Sequence, residues 1–324
     1  MEDYIEIKDL KISFKSYDGQ KRVVDIDELK IAKGEAYGLV GESGSGKSVL
    51  ALSLLKLLTE PPAVIESGSI RIGNLNILPK SEREMENIRG KKIAMIFQDP
   101  MSTLNPVFTV GQQIIKVIAK NQNLKGKQAR QKALEMIELV KLPDAEQIME
   151  KYPHELSGGQ RQRVIIAIAL ACGAEFLIAD EPTRNLDVTI QAGILKLLAE
   201  LQKTLKVTVL FIANNLSLVS LTCRRIGLLY HGQIVEQGEV REILDHPVHP
   251  YTKTLLQPLP QTEEEKEAVR RSLSVQENAD QGCPYQFRCP RAEEICKKEM
   301  PPVHQIGENH EVHCHFLEEG ESAR

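Results

Sequence analysis

The stretch AYGLVGESGSGKS, from Ala36 to Ser48, decides the fold. Its first five residues form a short apolar run that reads as a buried strand ending at a glycine-rich loop. The apolar stretch that follows, Val49 to Leu58, reads as a buried helix stopped by Pro61 and Pro62. Strand, G-x-x-x-x-G-K-S loop and helix, in that order, make a phosphate cradle. Backbone N–H groups of Gly41, Ser43, Gly44, Ser45, Gly46 and the first helical residues through Val49 face the phosphates, and the helix N-terminus adds partial positive charge. Lys47 then supplies a point charge for the β- and γ-phosphates, and the Ser48 hydroxyl can ligate Mg²⁺.

Four further motifs follow downstream. FLIADEP (Phe176 to Pro182) is a hydrophobic strand ending in a carboxylate, so Asp180 can hold Mg²⁺ through its water shell. Glu181, next in the chain, is the candidate base that polarises the attacking water. LSGGQ (Leu156 to Gln160) opens the helical run RQRVIIAIALA, so the N–H groups of Ser157, Gly158, Gly159 and Gln160 lie free at a helix start. A second cradle in one chain points to the γ-phosphate of a nucleotide held by another subunit, the plain alternative being an N-cap with a glycine hinge. Gln98, in FQDP after the run KIAMIF, can reach both metal and water. NLD (Asn185 to Asp187) completes the set, with Asp187 at its end.

Around these motifs, short apolar runs recur at Phe176–Ala179, Val207–Ile212 and Ile226–Tyr230. Helical patterns occupy Thr109 to about Leu142, broken at Asn121–Lys127, and Ile190–Leu205, while residues 3–14 alternate as a strand does. Such alternation argues an α/β fold with a mostly parallel core. Composition changes after Pro260, where TEEEKEAVRRS reads as a linker. We therefore expect an ATP-binding domain over residues 1–250, with a helical subdomain at about 100–170, and an extension over 251–324.

With 324 residues and a net charge of -4, the chain can bury a full core and presents no overall basic field for nucleic acid. Its longest strictly apolar run, Val164 to Cys172, is about half of a membrane span, and MEDYIEIKDL holds no signal-peptide core. A cytosolic protein that meets a membrane through partners is expected.

The motif set resembles the nucleotide-binding subunit of ATP-binding cassette (ABC) transporters, a P-loop NTPase with a mixed-sheet core and a helical subdomain. QDPMSTLNP, LDVTIQAGIL, HPYTKTLL and the tail GCPYQFRCPRAEEIC are similar to the oligopeptide/dipeptide/nickel branch of bacterial importers. That resemblance implies ATP hydrolysis with Mg²⁺ at the cytoplasmic face of the inner membrane. It also implies a second, different ATPase subunit, two transmembrane permease subunits and, indirectly, an extracytoplasmic binding protein. It places Tyr17, or its rival Phe14, against adenine, and the surface after Gln98 under the permease. Two departures stand out. Where the family has Thr-His-Asp after the strand VLFI, this chain has Ala213-Asn214-Asn215, so the switch histidine is an asparagine, shorter and unable to carry a proton. Arg184 precedes Asn185-Leu186-Asp187 where a small residue is usual, set to pair with the partner or to be solvated. Both departures fall on the site built from Lys47, Asp180, Glu181 and Asn214, so slow hydrolysis there is expected.

Four of the six cysteines, Cys283, Cys289, Cys296 and Cys314, lie in the last 42 residues with spacing C-x5-C-x6-C-x17-C. A reducing cytosol disfavours disulfides, and the spacing lacks the C-x2–4-C of zinc sites. Iron–sulfur clusters tolerate such spacings. The resembling tails imply a [4Fe–4S] cluster, with zinc and four free thiols as the alternatives. His304, His310, His313 and His315 surround the last cysteine, and Cys172 and Cys223 read as core.

Overall fold

The computed structural model describes residues 2–17, 19–99, 103–184, 186–257, 281–307 and 309–317. The linker-like TEEEKEAVRRS, the residues Pro100–Ser102 and Asn185 lie outside them. In chain order the first elements are β1 (Asp3–Ser16), β2 (Gly19–Ala32), β3 (Ala36–Val40), α1 (Lys47–Leu54), β4 (Ala63–Ile72), β5 (Leu75–Asn76), α2 (Glu82–Ile88) and β6 (Ile93–Ile96). A helical layer follows: α3 (Val110–Gln122), α4 (Gly126–Leu139), α5 (Ala145–Glu150) and α6 (Gly158–Ala171). The chain then returns through β7 (Phe176–Asp180), α7 (Val188–Leu205), β8 (Thr208–Ala213), α8 (Leu216–Ser220), β9 (Arg225–Tyr230) and β10 (Gln233–Glu239). It ends in α9 (Val240–Asp245), α10 (Pro250–Leu256), α11 (Glu294–Lys298), β11 (Val303–Gly307) and β12 (His310–His313).

Two sheets result. Four strands pair antiparallel in the order β2-β1-β4-β5, and eight form the order β11-β12-β10-β9-β3-β8-β7-β6. In the larger sheet β9, β3, β8, β7 and β6 run parallel, and β10, β12 and β11 add an antiparallel edge. The expected α/β class is thus a mixed sheet. Central strands are buried on both faces, which is why they read as unbroken apolar runs. Alternate residues serve two cores. Tyr37, Leu39, Phe176, Ile178, Leu210 and Ile212 face the antiparallel sheet and α1, while Val40, Leu177, Ala179, Val209 and Phe211 face the helical layer. Each fully buried Leu or Ile contributes about 1.5–3 kcal/mol.

The expected helix at Thr109–Leu142 splits where the polar stretch foretold. Thr109 caps α3 through a reciprocal capping box with Gln112, and Asn123 ends it at φ 57°. The predicted helix Val49–Leu58 ends earlier, at Leu54, because Lys56 turns the chain at φ 49°. Among the described residues no helix is long and apolar enough to cross a membrane.

Candidate functional site

Parallel register gathers the motifs. Val40 pairs with Ala213, Asp180 with Ile212 and Ile96 with Ala179. The carboxyl ends of β3, β8, β7 and β6 therefore lie side by side and deliver Gly41, Asn214, Glu181 and Gln98 to one edge of the sheet, the usual place for ligands in such folds. The Gly41 N–H donates to Ala213 O and that of Glu181 to Ile212 O, at 3.3 and 2.9 Å.

The loop from Gly41 to Ser48 is closely packed. A Cβ on Gly41 would come within 2.2 Å of Leu229 O, and Gly46 caps α1 at φ 103°, a conformation that other residues rarely adopt. Lys47 is buried, and its ammonium donates to Gly41 O (2.7 Å), Glu42 O (2.7 Å) and Ser45 Oγ (3.1 Å). Burial pulls its pKa from 10.5 down to about 8, against the opposing pull of Glu181, Asp180 and Glu42.

Asp180 is 4% exposed. Burial raises its carboxyl above the usual range, while a Ser48 hydrogen bond opposes and the Glu181 charge adds. Its Oδ1 is buried with no hydrogen-bond partner among the described residues. An orphaned carboxylate oxygen beside a serine hydroxyl fits Mg²⁺ held partly through water. Glu181 follows at φ 43°, and this turn separates the two carboxylates. Three donors hold its side chain: Asn214 Nδ2 on Oε1 at 2.6 Å, and Gln98 Nε2 and Arg184 Nη1 on Oε2 at 3.0 and 3.2 Å. Arg184, half exposed, pairs with the carboxylate of its own chain. Beside this cluster a cavity of about 110 Å³, large enough to hold water, runs between Glu181, Arg184, Gln191, Phe211 and Asn214.

Ser157 caps α6 through a capping box with Gln160, leaving Ser157 and Gly158 exposed at the helix start. Cβ atoms on Gly158 and Gly159 would touch Leu186 at 3.3 Å and Ile190 at 3.0 Å, so this turn packs on the start of α7, where Asp187 is the exposed N-cap. Tyr17 is fully exposed at the β1–β2 turn, whereas its rival Phe14 packs against the core.

The profile of the ABC transporter family matches residues 24–184, and that of the oligopeptide/dipeptide transporter C-terminal region matches residues 235–296. The chain is 43% identical to the oligopeptide transport ATP-binding protein OppD of Bacillus subtilis, over 97% of this chain and 88% of that one. The chain belongs to the ABC transporter family of ATP-binding subunits. It is 41% identical to the dipeptide transport ATP-binding protein DppD of Haemophilus influenzae, over 96% of this chain and 94% of that one. A dimeric ATP-binding cassette solved in a post-hydrolysis state with ADP and Pi superposes with TM-score 0.65 and 28% identity, over 73% of this chain and 99% of that one. This ABC protein is accordingly an ATPase that uses ATP and Mg²⁺.

The extension of the ATPase is built into the larger sheet. β12 pairs with β10, and Tyr285, Cys283 and Cys296 join the core on the helical side. Cys283, Cys289, Cys296 and Cys314 all line one cavity of about 10 Å³ together with His249, Arg291 and His315. All four are free thiols, and burial pushes Cys283 up to about 12 and raises Cys289 and Cys314. Among the described residues no three His, Cys, Asp or Glu side chains are grouped to hold a single metal ion. His310 does not serve the thiols; it is buried against the carboxylate of Glu236, Nε2 to Oε1 at 2.7 Å. Cys223 is buried and Cys172 half-buried, as core residues.

Sequence reading missed three side chains of this site. Arg184 was legible as a departure but not as the partner of Glu181. Tyr251 and Arg288 both grip Glu42 of the phosphate loop from the far end of the chain, a role for which the sequence held no local signal.

Proposed function

We propose that this chain energises a peptide-type ABC importer from the cytoplasmic face of the membrane, and that its own ATP site is the slow member of an unequal pair. The observation that carries the reading is the clamp on Glu181. Gln98, Asn214 and Arg184 together engage both carboxylate oxygens and draw on their charge, leaving one acceptor site on Oε1 for an attacking water and a weaker base to polarise it. An asparagine and an arginine, where the resembling family pattern has a histidine and a small residue, favour holding the carboxylate over releasing it.

In this reading the backbone of Gly41–Ser48, with Val49 behind it, cradles the phosphates, and the Lys47 ammonium turns from loop oxygens to the β- and γ-phosphates. Ser48, Asp180 and Gln98 hold Mg²⁺, which when bound neutralises charge between those phosphates. Tyr17, exposed at the β1–β2 turn, stacks on adenine. Ser157, Gly158, Gly159 and Gln160 complete the site of a second, different ATPase subunit, with Asp187 at the seam between the two. The exposed Val107 and Phe108, on a loop pinned by Gln113, support docking under the two permease subunits that an extracytoplasmic binding protein feeds. Residues 1–250 form the ATPase domain and 251–324 the extension.

Turnover of the assembled transporter with Arg184→Ser and Asn214→His together tests the clamp. The partner ATPase is silenced in the same assay so that only this site is read. A rise of about tenfold is expected; an unchanged rate would remove the clamp as the cause of slowness.

We assign a [4Fe–4S] cluster to the four thiols, with zinc as the alternative, because all four line one cavity and cluster ligands tolerate varied spacings. The cavity is narrow and must widen to admit it. Anaerobically purified protein should carry close to four irons and four sulfides; colourless protein with one zinc would reverse the choice.

A further inference from the structure

The phosphate loop is held from the extension. Glu42, the second residue of GESGSGKS, receives two parallel hydrogen bonds from Arg288, Nη1 to Oε2 at 2.8 Å and Nη2 to Oε1 at 3.0 Å. The Arg288 side chain is 7% exposed, and its guanidinium centre lies 5.9 Å from the Tyr230 ring and 5.7 Å from that of Tyr285. Planar stacking and a two-pronged fork suit arginine and not lysine. Tyr251 adds a second hold, its hydroxyl accepting the Glu42 N–H at 3.0 Å. Tyr230, Tyr251 and Tyr285 pack on one another with centroids 4.7 to 5.6 Å apart, so the grip on Glu42 sits on a rigid aromatic base.

Both ends of this connection are tied to chemistry. Glu42 O is one of the three acceptors of the Lys47 ammonium, so a shift of Glu42 moves the charge that meets the phosphates. At the other end Arg288 directly precedes Cys289, and the N–H groups of Arg288 and Cys289 both donate to Tyr285 O, at 3.1 and 2.9 Å. Tyr285 and Cys289 line the thiol cavity. Any change in the packing of that cavity reaches Glu42 through two side chains.

We infer that Arg288 is a positioning residue for the phosphate loop, through which the cysteine-bearing extension sets nucleotide affinity. The ionic, forked contact to a loop that must wrap phosphates closely makes the extension part of the binding apparatus. The inference rests on residues 41–48 being the phosphate cradle. Loss of nucleotide binding by the wild-type complex would sink that premise, whereas binding that ignores Arg288 would sink only the inference.

The test is a set of nucleotide titrations on the assembled complex with a fluorescent ATP analogue, carrying Arg288→Met, Arg288→Lys, Glu42→Gln and the Arg288→Met/Glu42→Gln pair. Each of Arg288→Met and Glu42→Gln should weaken binding about tenfold, with KM rising in step and kcat falling less than twofold. The pair should be no weaker than the worse single variant, because both remove one interaction. Arg288→Lys should recover part of the loss. Losses that multiply to about a hundredfold, or affinity unchanged in Arg288→Met, would overturn the inference. Glu42→Gln keeps the size of a partly exposed side chain while removing its charge and one of the two acceptors of Arg288, so it covers the case where Arg288→Met fails to fold. Amide hydrogen exchange gives a readout that simple scaffolding would not move. By reciprocity, nucleotide should slow exchange over residues 281–296 in wild type and not in Glu42→Gln. Equal slowing in both would also overturn it.

Discussion

The two halves of the ATP site are built on different terms. The half that holds phosphate is buried and locally determined. Lys47 is 4% exposed, its three contacts all lie within six residues of it, and every motif position of the loop is filled as the G-x-x-x-x-G-K-S pattern requires. The half that would activate water is open and assembled from afar. Glu181 meets Gln98 and Asn214, 83 and 33 residues away, and an arginine three residues on. On this proposal the fold protects binding, while hydrolysis depends on a half-buried Glu181 and Gln98 and an exposed Asn214 and Arg184, which substitution can retune without disturbing the core. Both departures from the family pattern fall on the second half.

The contrast is broken most strongly by attacking the first half. Lys47→Ala removes the buried ammonium of the cradle and should weaken ATP binding by about a hundredfold or more, measured by titration of the isolated chain. Asn214→Ala, on the other half, should leave affinity within about twofold.

A smaller effect follows from pH. Burial lowers Lys47 from 10.5 to about 8, so the ammonium is fully present at pH 7 and is lost as pH rises through 8. Phosphate favours the charged form, so affinity should be flat below about pH 8 and then fall by up to tenfold per pH unit. Binding at pH 9 should take up close to one proton, readable by calorimetry in buffers of different ionisation heat. Flat affinity to pH 10 would show that Lys47 keeps its proton unaided.

The smallest effect is on stability. Tyr251→Phe leaves the Glu42 N–H without its acceptor and should cost about 1 kcal/mol, a fall of about 2–4 °C in Tm. A larger fall would mean that the tyrosine cluster, not the loop contact, carries the effect.

Legibility in the sequence follows the same divide. The cradle could be read because its glycines, lysine and serine act within one turn of chain and their flanks announce strand and helix. The antiparallel edge could not, because β12 meets β10 through pairs such as Glu236 with Val312, which no local pattern encodes. For the same reason the tail read as an appendage, although Tyr285 and Cys296 pack into the main core. Asn214 was legible as a substitution, and its reach to Glu181 was not, since that depends on the register of β7 against β8. The cysteine spacing set zinc patterns aside but carried no information on the cavity that the four thiols line or on how narrow it is.

The central claim is that this chain's own site binds ATP well and turns it over slowly. ATP turnover by the reconstituted transporter carrying Glu181→Gln, beside the equivalent change in the partner ATPase, tests it most directly. The account predicts that Glu181→Gln leaves most of the activity and that the partner's change abolishes it. Equal loss from both changes would contradict it, and the two sites would then fire as a coupled pair.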